Sequence, residues 1–178
     1  KSSNKNILIQ KLDIMSYNNF ELDFVERTMH NLQEIEENSK NIYEFTNLLN
    51  QCYGLLIVPG EFAKRRGLIS NMNKHLDYYG FKKEQSLRFD ADKLTIPNLL
   101  RHLRNGLAHG RIEVLDYDNG TIAGVKIWDT YSNKRTVPNK DIHTIITFSV
   151  EDLKTFAIKV AKEYCRLKEE ELNQQSTQ

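Results

Sequence analysis

Long apolar runs are missing from this chain. The first residues, "KSSNKNILIQKLD", hold only three consecutive apolar side chains, Ile7, Leu8 and Ile9, too few for the core of a signal peptide. The greasiest stretch elsewhere, "YGLLIVPG", falls far short of a membrane span. Cysteine is also scarce. Cys52 and Cys165 lie far apart, each inside an apolar helical pattern, and no Cys-x-x-Cys pair or Cys/His cluster accompanies them. That excludes a disulfide scaffold and gives no structural zinc site. Two buried thiols in a reduced, cytoplasmic protein are the expectation. Excess charge is absent too. The formal net charge is +1, so no bulk field marks a nucleic-acid binder, although local patches remain open to one. Internal repeats are absent as well. With 178 residues the chain is one domain with trimmings, long enough to bury a core of its own.

What is present is helical periodicity, interrupted once. Residues 1–19 read as an N-terminal extension, with a short strand at "NILIQ". Phe20, Phe24, Thr28, Leu32 and Ile35 then recur at steps of three or four, which predicts a helix over 20–38. A second helix, 42–58, is apolar on more than one side (Ile42, Phe45, Leu48, Leu49, Cys52, Leu55, Leu56) and is expected to end at Pro59 and Gly60. Residues 60–93 read as a polar connection, with a short helix near Ile69–Tyr79 and a solvated basic cluster at Lys64, Arg65 and Arg66. Pro97 suits the first turn of a third helix, 95–109, and Gly110 its stop. The period then drops to two. "RIEVLDY" and "TIAGVKIW" flank Asn119-Gly120 as a β-hairpin, strands 111–117 and 121–128, and "DIHTIITFS" is a third strand. Ser149 and Asp152 form a capping box that opens a last helix, 149–172, and residues 173–178 should fray. The fold class is mainly α: a helical bundle over 20–172 with a small antiparallel sheet inserted before the last helix.

The chemistry gathers at the end of the third helix, in "LLRHLRNGLAHGRIEV". Leu99, Leu100, Leu103 and Leu107 form its core stripe, while Arg101, His102, Arg104, Asn105, His109 and Arg111 crowd the rest. A packing helix does not need that set. Arg101, Asn105 and His109, each four apart, share one edge. His109 sits in the last turn, where the helix dipole favours a protonated imidazole, and histidine moves protons at neutral pH. Arginine supplies a planar charge that pairs with phosphate oxygens. Asn105 can orient a hydroxyl or a phosphate. Such parts suffice to cut RNA without a metal, because RNA carries its own nucleophile, the 2′-hydroxyl. What remains is proton transfer and charge stabilisation at phosphorus. Gly106 and Ala108 are small, and let another backbone or a second copy of the same helix come close.

The stretch "LRNGLAHG" resembles the signature of the HEPN superfamily: Arg104, then Asn105, three residues, and His109. "FVERTMHNLQEIE", "IYEFTNLLNQCYGLLIVPGEF" and "LRHLRNGLAHGRIEV" follow one another as in a bacterial and plasmid-borne HEPN subgroup, which the chain resembles over about residues 20 to 170. The resemblance implies a four-to-five-helix bundle and a homodimer with juxtaposed motif helices. It implies metal-independent endoribonuclease activity of the kind found in toxin–antitoxin and phage-defence systems, with RNA as substrate and an antitoxin or regulatory protein as partner. It assigns Arg104 and His109 as catalytic and Asn105 as supporting, with no cofactor. Arg101 and Arg111 join them as RNA-binding side chains. A toxin subgroup continues His-any-Tyr, whereas His109 is followed here by Gly110 and Arg111, which leaves no tyrosine there for an antitoxin to modify. The alternative is a non-catalytic HEPN-like module that grips a nucleotide or a protein.

The other candidates carry simpler expectations. His30 and His75 lie on polar stretches and should be surface residues. His143 should be a satisfied edge residue of a strand, and His102 should belong to a packing or interface edge. Trp128 and Tyr131, near Lys134 and Arg135, form an aromatic hairpin face that packs on the bundle or stacks on bases.

Overall fold

A computed structural model describes residues 19–37, 44–89, 93–116, 121–130 and 141–175. Helix α1 spans Phe20–Glu37. Asn19 caps it: its Oδ1 accepts from the Leu22 N–H at 3.4 Å, and the Asp23 carboxylate accepts from the Asn19 N–H at 3.1 Å. Helix α2 spans Glu44–Arg65 and so runs straight through Pro59 and Gly60, where the sequence suggests a stop. Proline inside a helix costs about 3 kcal/mol. Tertiary packing offsets it: roughly two extra turns bury Phe62 and Ala63, and the Phe62 ring lies 6.0 Å from Phe20 and 6.2 Å from Tyr164. Lys64 and Arg65 therefore end a helix rather than occupying a loop. Arg66 follows them and is tied down, with its Nε 2.5 Å from Glu21, which also accepts from the Tyr164 hydroxyl at 2.9 Å.

Two short 3-10 turns, Leu68–Asn71 and Leu76–Tyr79, replace the single short helix expected there. A three-residue strand, β1 (Ser86–Arg88), ends the connection. Helix α3 spans Ile96–Ala108, strand β2 Ile112–Asp116, strand β3 Ile122–Thr130, strand β4 Ile142–Ser149 and helix α4 Val150–Gln175. Residues 173–175 continue that last helix where fraying was expected. Ser149 is its cap, accepting from the Asp152 N–H at 3.0 Å, while the Asp152 carboxylate turns to Lys82 rather than closing the box. The "NILIQ" segment, the Asn119-Gly120 turn, and Tyr131, Lys134 and Arg135 lie outside the described residues.

The four strands form one antiparallel sheet in the order β1-β4-β3-β2. Strand pairing fixes its inward face. Val125 pairs with Phe148, Ile127 with Ile146 and Asp129 with Thr144, and all six are buried. The row is apolar until its last pair, which places a carboxylate at the end of the core face. Helix α3 lies against β3, α4 against β3 and β4, and α2 packs on α1, α3 and α4. Among the described residues the arrangement is thus four helices and a small antiparallel sheet, the sheet contributed largely by the segment before the last helix. Cys52 and Cys165 are both buried thiols, as their apolar settings suggest. Among the described residues no helix is long and apolar enough to cross a membrane.

Candidate active site

Helix α3 is built to present its C-terminal end. Thr95 caps the start, its hydroxyl accepting from the Asn98 N–H at 3.4 Å, and Pro97 sits in the first turn. Ile96, Leu99, Leu100, Leu103 and Leu107 bury one face. At the other end His109 is the cap and Gly110 adopts φ 64, a left-handed conformation that glycine takes without strain. The Arg111 N–H then bonds the Gly106 carbonyl at 2.8 Å, and the Gly110 N–H bonds the Leu107 carbonyl at 3.0 Å. This double bond pattern turns the chain sharply back and leads it into β2.

The close approach expected at Gly106 is real, but its partner is a strand of the same chain. A Cβ on Gly106 would stand 2.6 Å from Ile127 Cγ2 and 2.7 Å from the Trp128 carbonyl oxygen. Helix α3 and β3 touch through that gap, and this contact brings the face of α3 onto Asp129.

Asp129 is the hub of the polar cluster. Its Oδ2 accepts from His102 Nδ1 at 2.8 Å and from Asn105 Nδ2 at 3.0 Å. Its Oδ1 accepts from Arg111 Nη1 at 3.0 Å and from the Thr130 N–H at 2.8 Å. Arg101 Nη2 lies 3.0 Å from His102 Nε2. A guanidinium only donates, so Nε2 accepts, and the Nδ1 proton points at Asp129. Burial pushes the Asp129 carboxyl up. The hydrogen bonds from His102, Asn105 and the Thr130 N–H outweigh that effect and hold it below the usual carboxylate range. His143 stacks edge-on to His102 with ring centroids 5.0 Å apart, and Phe89 does so from another side at 5.3 Å. Burial holds the His143 imidazole below its ordinary value, and its Nδ1 meets the Thr144 hydroxyl at 2.8 Å.

Three of these groups have metal-ligand character. Ligand atoms of His102, Asp129 and His143 lie within 4.8 Å of one another. The chemistry of the set argues against a cation. Both Asp129 oxygens are already filled, and Arg111 and Arg101 stand 3.0 Å from Asp129 and His102. A divalent ion would have to displace hydrogen bonds and sit between two guanidinium groups. The cluster is a hydrogen-bonded strut.

The five residues singled out from the sequence divide into two groups. Arg101, Asn105 and Arg111 converge on Asp129, Arg101 through His102. Arg111, expected on an RNA-facing surface, is only 2 % exposed, because the turn after α3 aims its side chain into the protein. Arg101 remains exposed. Arg104 faces α2 instead, with its Nε 3.3 Å from Glu61 Oε1. His109 is exposed, and among the described residues its side chain makes no hydrogen bond. Arg104 and His109 are not bonded to each other within the chain.

The sequence reading missed Asp129 and gave His102 no more than a packing edge. One signal was available: aspartate is depleted in strands, and "KIWDT" puts one among β-branched and aromatic residues. Ending the strand at Trp128 left it outside. His30 and His75 are exposed, as their polar settings suggest.

The model of one protein family, HEPN pEK499 p136, matches residues 15–171. The chain belongs to that HEPN family. Neither the curated proteins nor the solved structures give a match. Within this HEPN chain the stretch from Arg104 to His109 spans the last turns of α3, and the α3–β3 contact and the Asp129 hub hold those turns from below.

Proposed function

We propose that the chain is a metal-independent endoribonuclease acting as a homodimer. The observation that carries this reading is the Arg104-Asn105-x3-His109 run in a HEPN chain, with His109 exposed at the C-terminal end of α3. In the reaction the RNA 2′-oxygen attacks the adjacent phosphorus as its proton passes to a base. The P–O5′ bond breaks, and a proton goes to the leaving O5′. His109 is the proton-transfer group, exposed where it can meet the leaving oxygen. Arg104 stabilises the charge that builds on the phosphoryl oxygens. Since one protomer offers one such histidine, two motif helices facing each other supply both the acid and the base. Asn105 positions the site through Asp129, Arg101 meets the RNA backbone from the exposed side, and Arg111 supports the hub from within. Action as a toxin or phage-defence effector in the cytoplasm, restrained by an antitoxin or regulatory protein, follows from the same reading.

Cleavage of single-stranded RNA in EDTA by wild type and His109→Ala tests it. Wild type should leave a 2′,3′-cyclic phosphate and spare DNA. His109→Ala should lose about 10²–10⁴-fold, and Arg104→Lys should recover little, since a point charge does not replace a planar fork. Equal cleavage by wild type and His109→Ala overturns the assignment. One observation favours the alternative, a HEPN module that binds without cutting: Arg104 turns to Glu61 rather than to His109. Silence of the wild type across varied RNAs would select that module.

A further inference from the structure

Between α2 and α3 lies a groove of about 200 Å³ that shares Arg101 and Arg104 with the proposed site but extends away from His109's motif turn along Leu56, Ile57 and Ile69. Leu56, Ile57, Ile69 and Leu100 are among the apolar residues that line it. Its charged lining is Lys64, Arg101 and Arg104, with Glu61 as the single carboxylate among three cations. Arg104 thus belongs to both places: the motif that gives the family its signature and the wall of this groove. Its Nε is buried and makes no aligned hydrogen bond, although Glu61 Oε1 is 3.3 Å away. The groove is smaller than the roughly 300–1,000 Å³ of sites that hold whole drug-sized ligands, so it suits one ring system and not a dinucleotide or cofactor.

We propose that this groove binds one unpaired base of an RNA strand, next to the phosphate that Arg104 engages. The proposal rests on the nuclease reading for which phosphate is cut, but not for the binding itself. The chemistry matches part by part. An apolar slot flanked by guanidinium planes suits a splayed, unstacked base, the form in which single-stranded RNA is read. The excess of cations suits the phosphates on either side of that base. Glu61, an acceptor only, takes the N–H groups on the base edge.

Gly60 provides a clean test. It lines the groove, is helical, and a Cβ placed there meets nothing within 4 Å. Gly60→Leu should therefore fold, checked by circular dichroism, while filling the slot. Gly60→Ala is the control. Binding is measured by NMR on His109→Ala protein with guanosine 5′-monophosphate, against inorganic phosphate as the charge-only probe. The nucleotide should shift resonances of Ile57, Ile69 and Leu100 where phosphate does not, and Gly60→Leu should abolish those shifts. In the cleavage-competent chain Gly60→Leu should raise KM for a single-stranded RNA about tenfold, the lower range for one lost base contact, with kcat little changed. Gly60→Ala should do neither.

Three results overturn the proposal. One is shifts no larger with the nucleotide than with phosphate. Another is binding and KM untouched by Gly60→Leu. The third is a change of sedimentation with Gly60→Leu, which would give the groove to a second copy of the chain. The two readings fail separately. Nucleotide binding lost in Gly60→Leu, with no cleavage by wild type, keeps the base site and removes the nuclease. Cleavage that depends on His109 but ignores Gly60→Leu does the reverse.

Discussion

Replacing Asp129 by asparagine tests whether the hub holds the end of α3 in place. The side chains of Asp129 and Arg111 are 4 % and 3 % exposed, so the charge on Arg111 has almost no water to turn to. An asparagine keeps one acceptor oxygen for four donors: His102, Asn105, Arg111 and the Thr130 N–H. Two of the four then face an amide NH2. Orphaned buried donors cost about 1–3 kcal/mol each, and breaking a buried ion pair from one side costs about 3–5 kcal/mol. The two figures count the same loss twice, so about 3–5 kcal/mol is the expectation. For a chain of this size that lowers Tm by roughly 6–20 °C. Urea unfolding, followed by far-UV circular dichroism and by the fluorescence of Trp128, the single tryptophan, measures it. Arg111→Met supplies the second corner of a cycle, because without the guanidinium the asparagine strands less charge. The double variant should be more stable than the sum of the singles predicts by at least about 1 kcal/mol, within the range seen for contacting residues. A loss below about 1 kcal/mol for Asp129→Asn, or strict additivity, would refute the hub.

Three further outcomes follow from single positions. Gly106→Ala should lose about 1–3 kcal/mol, since one of the two contacts its Cβ would make is the Trp128 carbonyl, backbone that cannot be trimmed away; a neutral effect in urea unfolding would show that α3 does not rest on β3. His143 should give the protein an acid-sensitive limb: its folded value lies below the ordinary 6.5, so the unfolded chain takes up a proton first, and stability present above about pH 6.5 declines as pH falls toward the folded value. His143→Gln should flatten that decline in urea midpoints measured from about pH 8 down to about pH 5, and an unchanged slope would assign it to other groups. Burial pushes the Cys165 thiol up to about 12 and leaves Cys52 with no exposed surface, so a thiol reagent at neutral pH should label neither in the native protein and both in denaturant; rapid native labelling would contradict the packing of α2 and α4.

The sequence by itself determined what local physics can write down. Three of the four described helices were legible to within a residue or two at nearly every end, because their apolar steps of three and four and the signals at Pro97, Gly110 and Ser149 act within one turn of chain. The three longer strands followed from a period of two. The crowding of charged and polar side chains at the end of α3 was legible as well, since motif spacing is a property of one helix. Tertiary structure decided the rest. Pro59 does not stop α2, because burying Phe62 and Ala63 outweighs a local cost that the sequence displays without its compensation. Strand β1 is three residues long, too short for any period, and exists only because β4 offers an edge to pair with. The division of the site could not be read from spacing. Arg104 and Asn105 are neighbours in sequence, yet about 100° of helix rotation sends one to Glu61 on α2 and the other to Asp129 on β3. Arg111 looks like a surface cation until a glycine turn aims it inward at a carboxylate eighteen residues further along the chain. A buried ion pair is a fact about two distant segments, and only their packing brings it into being.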